Sequence, residues 1–224
     1  MLYCLIRFHY LSRLLRDVRE YRVWVEPSKR RELEKKLTEM TQPKNPHDRR
    51  QSLHIRRARK SDHEAIWQIF RAVVAEGDSY VFDPRISRSR ALSYWFGAMT
   101  RCYVALLDHR VVGTYILKPN QPGLGSHVAN AGFMVAPSVQ GRGIGRIMAQ
   151  HCLGEAERLG FHAMQFNFVV STNKPALRLW KDLGFRIVGR LPRAFRHAAY
   201  GLVDVYVMYR QLSPGISLVR PVAQ

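Results

Sequence analysis

The stretch His127–Gly145, HVANAGFMVAPSVQGRGIG, constrains the fold more than any other part of this 224-residue chain. An apolar run with strand character (Val128, Ala129, Ala131, Phe133, Met134, Val135) meets Pro137 and turns through polar residues. Gly141, Gly143 and Gly145 then stand directly ahead of a helical pattern. A strand, a glycine loop and a helix start leave backbone N–H groups unpaired at the helix N-terminus, and residues without Cβ let a ligand come close. Such a junction suits phosphate or pyrophosphate. A glycine loop also serves as a plain tight turn, so the neighbouring segments decide.

Read in order, the chain predicts one mixed α/β sheet preceded by an extension. Residues 1–52 form a basic, partly helical segment: Leu11, Leu14, Leu15 and Val18 recur at helical spacing, Tyr21–Val25 is extended, Glu32–Met40 is a charged helix, and TQPKNPHDRRQS is a linker. The domain runs over 53–212, with a polar tail at 213–224. Leu53–Ala58 alternates as a strand. Ser61 with Glu64 reads as a capping box opening a helix through Ile66, Phe70 and Val74, and Ser87–Ala98 is a second helix. Cys102–Leu107 and Val111–Leu117 form a hairpin through Asp108-His109-Arg110, followed by a Pro/Gly-rich loop over Lys118–Ser126. The helix after the glycine loop carries Ile144, Ile147, Met148, Cys152, Ala156 and Leu159 on one face and stops at Gly160. Ala163–Val170 is a buried strand, Pro175 opens a helix bearing Leu177, Trp180 and Leu183, and Phe185–Leu191 and Val203–Tyr209 are the last strands.

Charge and cysteine usage narrow the function classes. The chain has 36 Lys and Arg against 17 Asp and Glu, which favours an anionic partner. Residues 1–52 hold 13 basic and 7 acidic side chains, so the excess runs through the whole chain rather than marking one nucleic-acid-binding element with interleaved aromatics. Cys4, Cys102 and Cys152 are odd in number and far apart, which argues against a disulfide framework or a zinc site, and the nine histidines show no metal-ligand spacing, so no metal is expected. No apolar run approaches the length of a membrane span, and Arg7 interrupts the N-terminal apolar segment with no small-residue cleavage site after it. A cytoplasmic protein is the simplest expectation, with a homodimer left open.

Val135-Ala-Pro-Ser-Val-Gln-Gly-Arg-Gly-Ile-Gly145, followed by Asn173-Lys-Pro-Ala-Leu-Arg-Leu-Trp-Lys-Asp-Leu-Gly-Phe185, resembles the two signature segments of the GNAT acyl-CoA N-acetyltransferases. Gln140–Gly145 matches the family's Q/R-x-x-G-x-G pattern, and the element order matches its fold from Leu53 to about Leu212. A dinucleotide-binding reading fails, because the strand–loop–helix unit is not repeated and GRGIG lacks the third glycine of GxGxxG. The resemblance implies that acetyl-CoA is the co-substrate. Its pyrophosphate would lie on the N–H groups of Gly141, Arg142, Gly143, Ile144 and Gly145 after Gln140, with Arg142 and Arg146 adding charge. Main-chain groups of Phe133, Met134 and Val135 would pair with the pantetheine and polarise the thioester. Two family features are missing. Trp180 stands where many members have a tyrosine acid, and VANAGFMV carries no glutamate base.

Lys118-Pro-Asn120, Asn130-Ala-Gly-Phe133, Phe166–Asn173, Leu183-Gly-Phe185 and Gly189-Arg-Leu-Pro192 further resemble the fungal azetidine-2-carboxylate N-acetyltransferases, which acetylate proline analogues. That resemblance implies that Asn130 recognises the substrate, that Asn167 with the N–H of Phe168 holds its carboxylate, and that Asn173 supports the thioester or the leaving sulfur. Asparagine supplies donors without adding negative charge. The residues themselves also allow Asn130 to stabilise a bulge and Asn173 simply to cap a helix. Tyr80 and Phe82 are expected in the acceptor pocket, and His127 is the histidine to test as a base. Acetylation of a protein amine, and a non-catalytic basic binding module, stay open beside acetylation of a small amino-acid-like amine.

Overall fold

The computed structural model describes residues 53–213; the elements expected over 1–52 and the tail beyond 213 lie outside the described residues. The order is β1 (His54–Arg57), α1 (His63–Ala75), α2 (Arg88–Trp95), β2 (Arg101–Leu107), β3 (Arg110–Pro119), β4 (Val128–Val135), α3 (Ile144–Arg158), β5 (Ala163–Val170), α4 (Lys174–Asp182), β6 (Arg186–His197) and β7 (Gly201–Gln211). These elements follow the predicted sequence of strands and helices. The seven strands make one sheet in the order β1-β2-β3-β4-β5-β7-β6, antiparallel at every seam except β4–β5.

Helices cover both faces of the sheet. Ile66, Phe70, Val74 and Trp95 of α1 and α2 pack on Val104, Ile116 and Met134, while Met148, Cys152 and Ala156 of α3 and Trp180 of α4 pack on Tyr115, Met164 and Met208. β3 lies between the two layers, which is why Val112–Leu117 is buried without a break. The one polar residue in that run is satisfied: Trp95 Nε1 donates to the Thr114 hydroxyl (2.9 Å), which donates to the Tyr103 carbonyl (2.9 Å). The β2–β3 turn places Asp108 and His109 at φ 48° and 64°, the mirror-image two-residue turn whose twist suits a hairpin.

Four local expectations are corrected. Ser61 does not cap α1. It sits in a 3-10 turn, and the next residue, Asp62, accepts from the Arg59 N–H (2.7 Å) and from both terminal nitrogens of Arg56 (2.7 and 2.9 Å). The Arg56 guanidinium holds the nearly buried Asp62 carboxyl below the usual carboxylate range, and this charge-assisted pair prevails over a serine hydroxyl. α2 begins as expected, with Ser87 accepting from the Arg90 N–H (3.4 Å), but ends at Trp95 rather than Ala98. Ile147 is 45% exposed, because the buried stripe of α3 runs through Ile144, Met148, Ala149, Cys152, Leu153 and Ala156. β6 continues past Leu191 to His197: Pro192 falls where the register slips between Leu191 and Phe195, on an edge strand that tolerates a missing N–H.

Candidate active site

The site begins where the sheet comes apart. β3 and β4 pair at seven consecutive positions, from Gly113↔Val135 to Pro119↔Ala129, whereas the parallel β4–β5 seam holds only Val128↔Ala163 and Ala129↔Met164. The Asn120 N–H bonds the Val128 carbonyl and the Ala136 N–H bonds the Val112 carbonyl, both at 2.8 Å. The even-numbered residues of β4 therefore turn their main-chain groups to β3, and Ala131, Phe133 and Val135 turn theirs into the gap. A cavity of about 250 Å³ lies there, with Asn130, Phe133, Asn167, Phe168 and Asn173 in its wall. Among the described residues its lining includes no Asp, Glu, Lys, Arg or His.

An amide chain takes over where the backbone ladder stops. Asn130 Nδ2 donates to the Gln165 carbonyl (2.8 Å), a group that faces β4 and that the Ala131 N–H would reach if the ladder continued. Gln165 Nε2 donates to Asn167 Oδ1 (2.8 Å), and Asn167 Nδ2 donates to Asn120 Oδ1 (2.7 Å). Asn167 and Phe168 stand together opposite Val207, in a bulge where the β5–β7 register slips between Phe166 and Val169; bulges re-aim side chains in this way. Gln165 and Asn120 were not expected as site residues. The signal for Gln165 was two amides two residues apart on one strand.

Asn173 takes the role its position next to Pro175 allows: its Oδ1 accepts from the Ala176 N–H (3.1 Å) and caps α4. Its amide nitrogen is left for another partner, and both Asn173 and Ala176 line the cavity, so the positive end of α4 points at the gap. Trp180 fills the floor beside Phe133 and Phe166, with ring centroids 5.1 and 4.5 Å away. On the opposite side Tyr80 donates its hydroxyl to the Phe133 carbonyl (2.8 Å), and its ring stacks with Phe82. Burial pushes the Tyr80 phenol pKa well above its ordinary value. His127 is exposed, contacts the Leu124 carbonyl and does not line the cavity, so it is not brought to the site.

The glycine loop has the shape of a cradle. Gly141 and Gly143 have φ 77° and 79°, and a Cβ on either would meet nothing within 4 Å. Space and positive φ together leave room for a ligand at the start of α3, where Gly143 is the N-cap and Ile144 the first residue. Gly145 is already inside the helix, 3.9 Å from Leu179 and Val135 at the Cβ position. Arg146 is paired with Asp182 (2.6 Å), while Arg142 is exposed. Phe133 and Val135 present main-chain groups to the gap; Met134 does not, since it pairs with Thr114 and buries its side chain under Trp95. Outside the cavity lining, the Ala198 N–H in the β6–β7 turn bonds the Gly77 carbonyl (3.0 Å), two residues before Ser79 of the cavity wall.

Residues 62–185 match the acetyltransferase (GNAT) family. The chain belongs to that family. It is accordingly an acetyl-CoA-dependent N-acetyltransferase. Among similar proteins, the N-acetyltransferase aca1 of Schizosaccharomyces pombe is 34% identical, over 58% of this chain and 71% of that protein. A GCN5-related N-acetyltransferase from Kribbella flavida superposes with a TM-score of 0.69 at 44% identity, covering 71% of this chain and 98% of its own. yncA from Salmonella typhimurium, solved with its cofactor acetyl-CoA, shares the fold at a TM-score of 0.65 and 24% identity, over 77% and 99% of the two chains.

Proposed function

We propose that this GNAT enzyme acetylates the amine of a small amino-acid-like substrate, with proline analogues such as azetidine-2-carboxylate as the leading class. The observation that carries the reading is the uncharged cavity in the β4–β5 gap, walled by Asn130, Asn167 and Asn173. A carboxylate-bearing substrate meets amide donors there and, among the described residues, no carboxylate in the lining. The Lys118 ammonium lies 4.9 Å over the ring of Tyr94, another wall residue, and places positive charge beside the acceptor side. The cavity's volume of about 250 Å³ favours a compact substrate over a protein chain.

In this reading the glycine cradle and the start of α3 bind the pyrophosphate of acetyl-CoA, and Phe133 and Val135 bind its pantetheine and thioester through main-chain groups. Asn130 contacts the acceptor, and Asn167 with the Phe168 N–H holds its carboxylate. The amine lone pair attacks the thioester carbonyl carbon, a C–N bond forms, the C–S bond breaks, and the amine proton passes to water. Asn173 Nδ2 and the positive end of α4 hold the departing thiolate, which takes its proton from solvent. Cys102 and Cys152 play no part: both are buried, and burial pushes the Cys102 thiol up to about 12.

A turnover screen following thiol release from acetyl-CoA, over azetidine-2-carboxylate, L-proline, the common L-amino acids and a set of N-terminal peptides, tests the proposal. Turnover of small amino or imino acids with negligible turnover of peptides is expected. Peptide turnover alone, or none with any small amine, overturns it.

A further inference from the structure

The Tyr80 hydroxyl lies in the cavity wall with no role assigned above, and its geometry is specific. β4 sends the Phe133 carbonyl into the gap, and the phenol, 53 residues away in sequence, donates its only proton to it at 2.8 Å. Gly132 lies against it: a Cβ there would sit 3.4 Å from the Tyr80 oxygen, at contact distance. The ring is fixed by Phe82 (centroids 6.2 Å) and edge-on by Trp95 (6.4 Å). A phenol whose proton is committed to the main chain can offer a ligand only its lone pairs. Burial pushes its pKa well upward, which keeps that proton in place. The other phenol of the wall, Tyr94, is 42% exposed and carries Lys118 on its ring rather than a main-chain contact.

We propose that Tyr80 is an acceptor-orienting residue: its oxygen takes a hydrogen bond from an N–H of the substrate amine and thereby turns the nitrogen lone pair toward the acyl carbon held beside Phe133. This rests on the reading of the gap as the acetyl-transfer site for a small amine. It assigns Tyr80 neither base nor acid chemistry. The site then selects acceptors that retain an N–H when neutral, primary amines and secondary cyclic amines alike, and the proton lost in the reaction is a different one from the proton on Tyr80.

Wild-type enzyme, Tyr80→Phe, and enzyme carrying 3,5-difluorotyrosine at position 80 are compared with azetidine-2-carboxylate and with the best amine of the screen. Tyr80→Phe is expected to lower kcat/KM for the amine by about 10- to 100-fold, the scale of a lost hydrogen bond in a desolvated site. The KM for acetyl-CoA stays within about twofold, the pH–rate profile keeps its shape, and calorimetric acetyl-CoA binding confirms a folded variant. Fluorination weakens the oxygen as an acceptor and strengthens the hydroxyl as a donor, so a fall in kcat/KM supports the inference and a rise overturns it in favour of proton donation. A Tyr80→Phe enzyme with unchanged kcat/KM, or one that loses a limb of the pH profile, also overturns it. Wild-type failure on every small amine instead overturns the underlying reading, and this inference with it.

Discussion

The two edges of β4 have opposite designs. Toward β3 the strand pairs at seven consecutive positions and is buried in both layers of the core; toward β5 it pairs at two and then leaves Ala131, Phe133 and Val135 facing a gap. Buried main-chain groups without partners are costly, and two side chains take up part of that cost at the gap: the Tyr80 hydroxyl on the Phe133 carbonyl of β4 and the Asn130 amide on the Gln165 carbonyl of β5. In the function proposed above, the closed seam supplies rigidity and the open seam the chemistry, on one strand eight residues long.

Substitutions on the two edges should therefore separate activity from stability. The largest effect is expected from Asn130→Ala, which removes the donor on the Gln165 carbonyl and the proposed acceptor contact. kcat/KM for the amine should fall by about 100-fold or more, with only about 1 kcal/mol lost in a urea melt. Comparable losses in both measurements would erase the distinction. On the closed edge, Gly113→Val must find room where a Cβ would lie 2.6 Å from the sulfur of buried Met148 and 3.3 Å from the Met134 carbonyl. Overpacking of that kind costs about 2–3 kcal/mol, and turnover per folded molecule should be retained.

Smaller effects sharpen the contrast. Asn173→Asp keeps an N-cap and adds charge that suits a helix N-terminus, but removes the amide donor. The melting temperature should hold or rise while kcat falls about tenfold. Glu155 tests the closed half of the sheet: hydrogen bonds from Arg158 and then from the Tyr103 hydroxyl (2.6 Å) bring its carboxyl down to about 2. Because the folded value lies below the unfolded one, this stabilisation is complete above the ordinary carboxylate range and disappears as pH falls toward about 2. Glu155→Gln should lose about 1 kcal/mol at pH 6, allowing for screening at exposed Arg158, and show a shallower decline toward pH 3 than the wild type in urea melts.

Much of this arrangement was legible in the sequence, and the missing parts share a cause. Element order followed from local patterns: Ala163–Val170 is a strand with the predicted bounds, and Pro175 opens α4. The glycines of the loop and the three asparagines of the cavity wall were likewise visible as residue types in a pattern. What periodicity could not carry is pairing across distance. Nothing in VANAGFMV or AMQFNFVV marks the point at which those strands stop bonding, and the Tyr80–Phe133 and Asn167–Asn120 contacts join separate elements. Misreadings arose where tertiary partners prevailed over local rules. Arg56 made Asp62 rather than Ser61 the anchor ahead of α1, and a bulge on an edge strand let β6 run through Pro192.

The contact between Ala198 and Gly77 ties the β6–β7 turn to the segment that enters the cavity wall at Ser79. It is a single neutral hydrogen bond between two turns, and Gly77, at φ 63°, would bring a Cβ to 3.1 Å from that of Ala198. Exchanged against water, such a bond is worth only about 1 kcal/mol. A bond of that strength favours the joined turns over the separated ones by roughly a few-fold, so the β6–β7 turn is held beside the segment leading to Ser79 without being locked there.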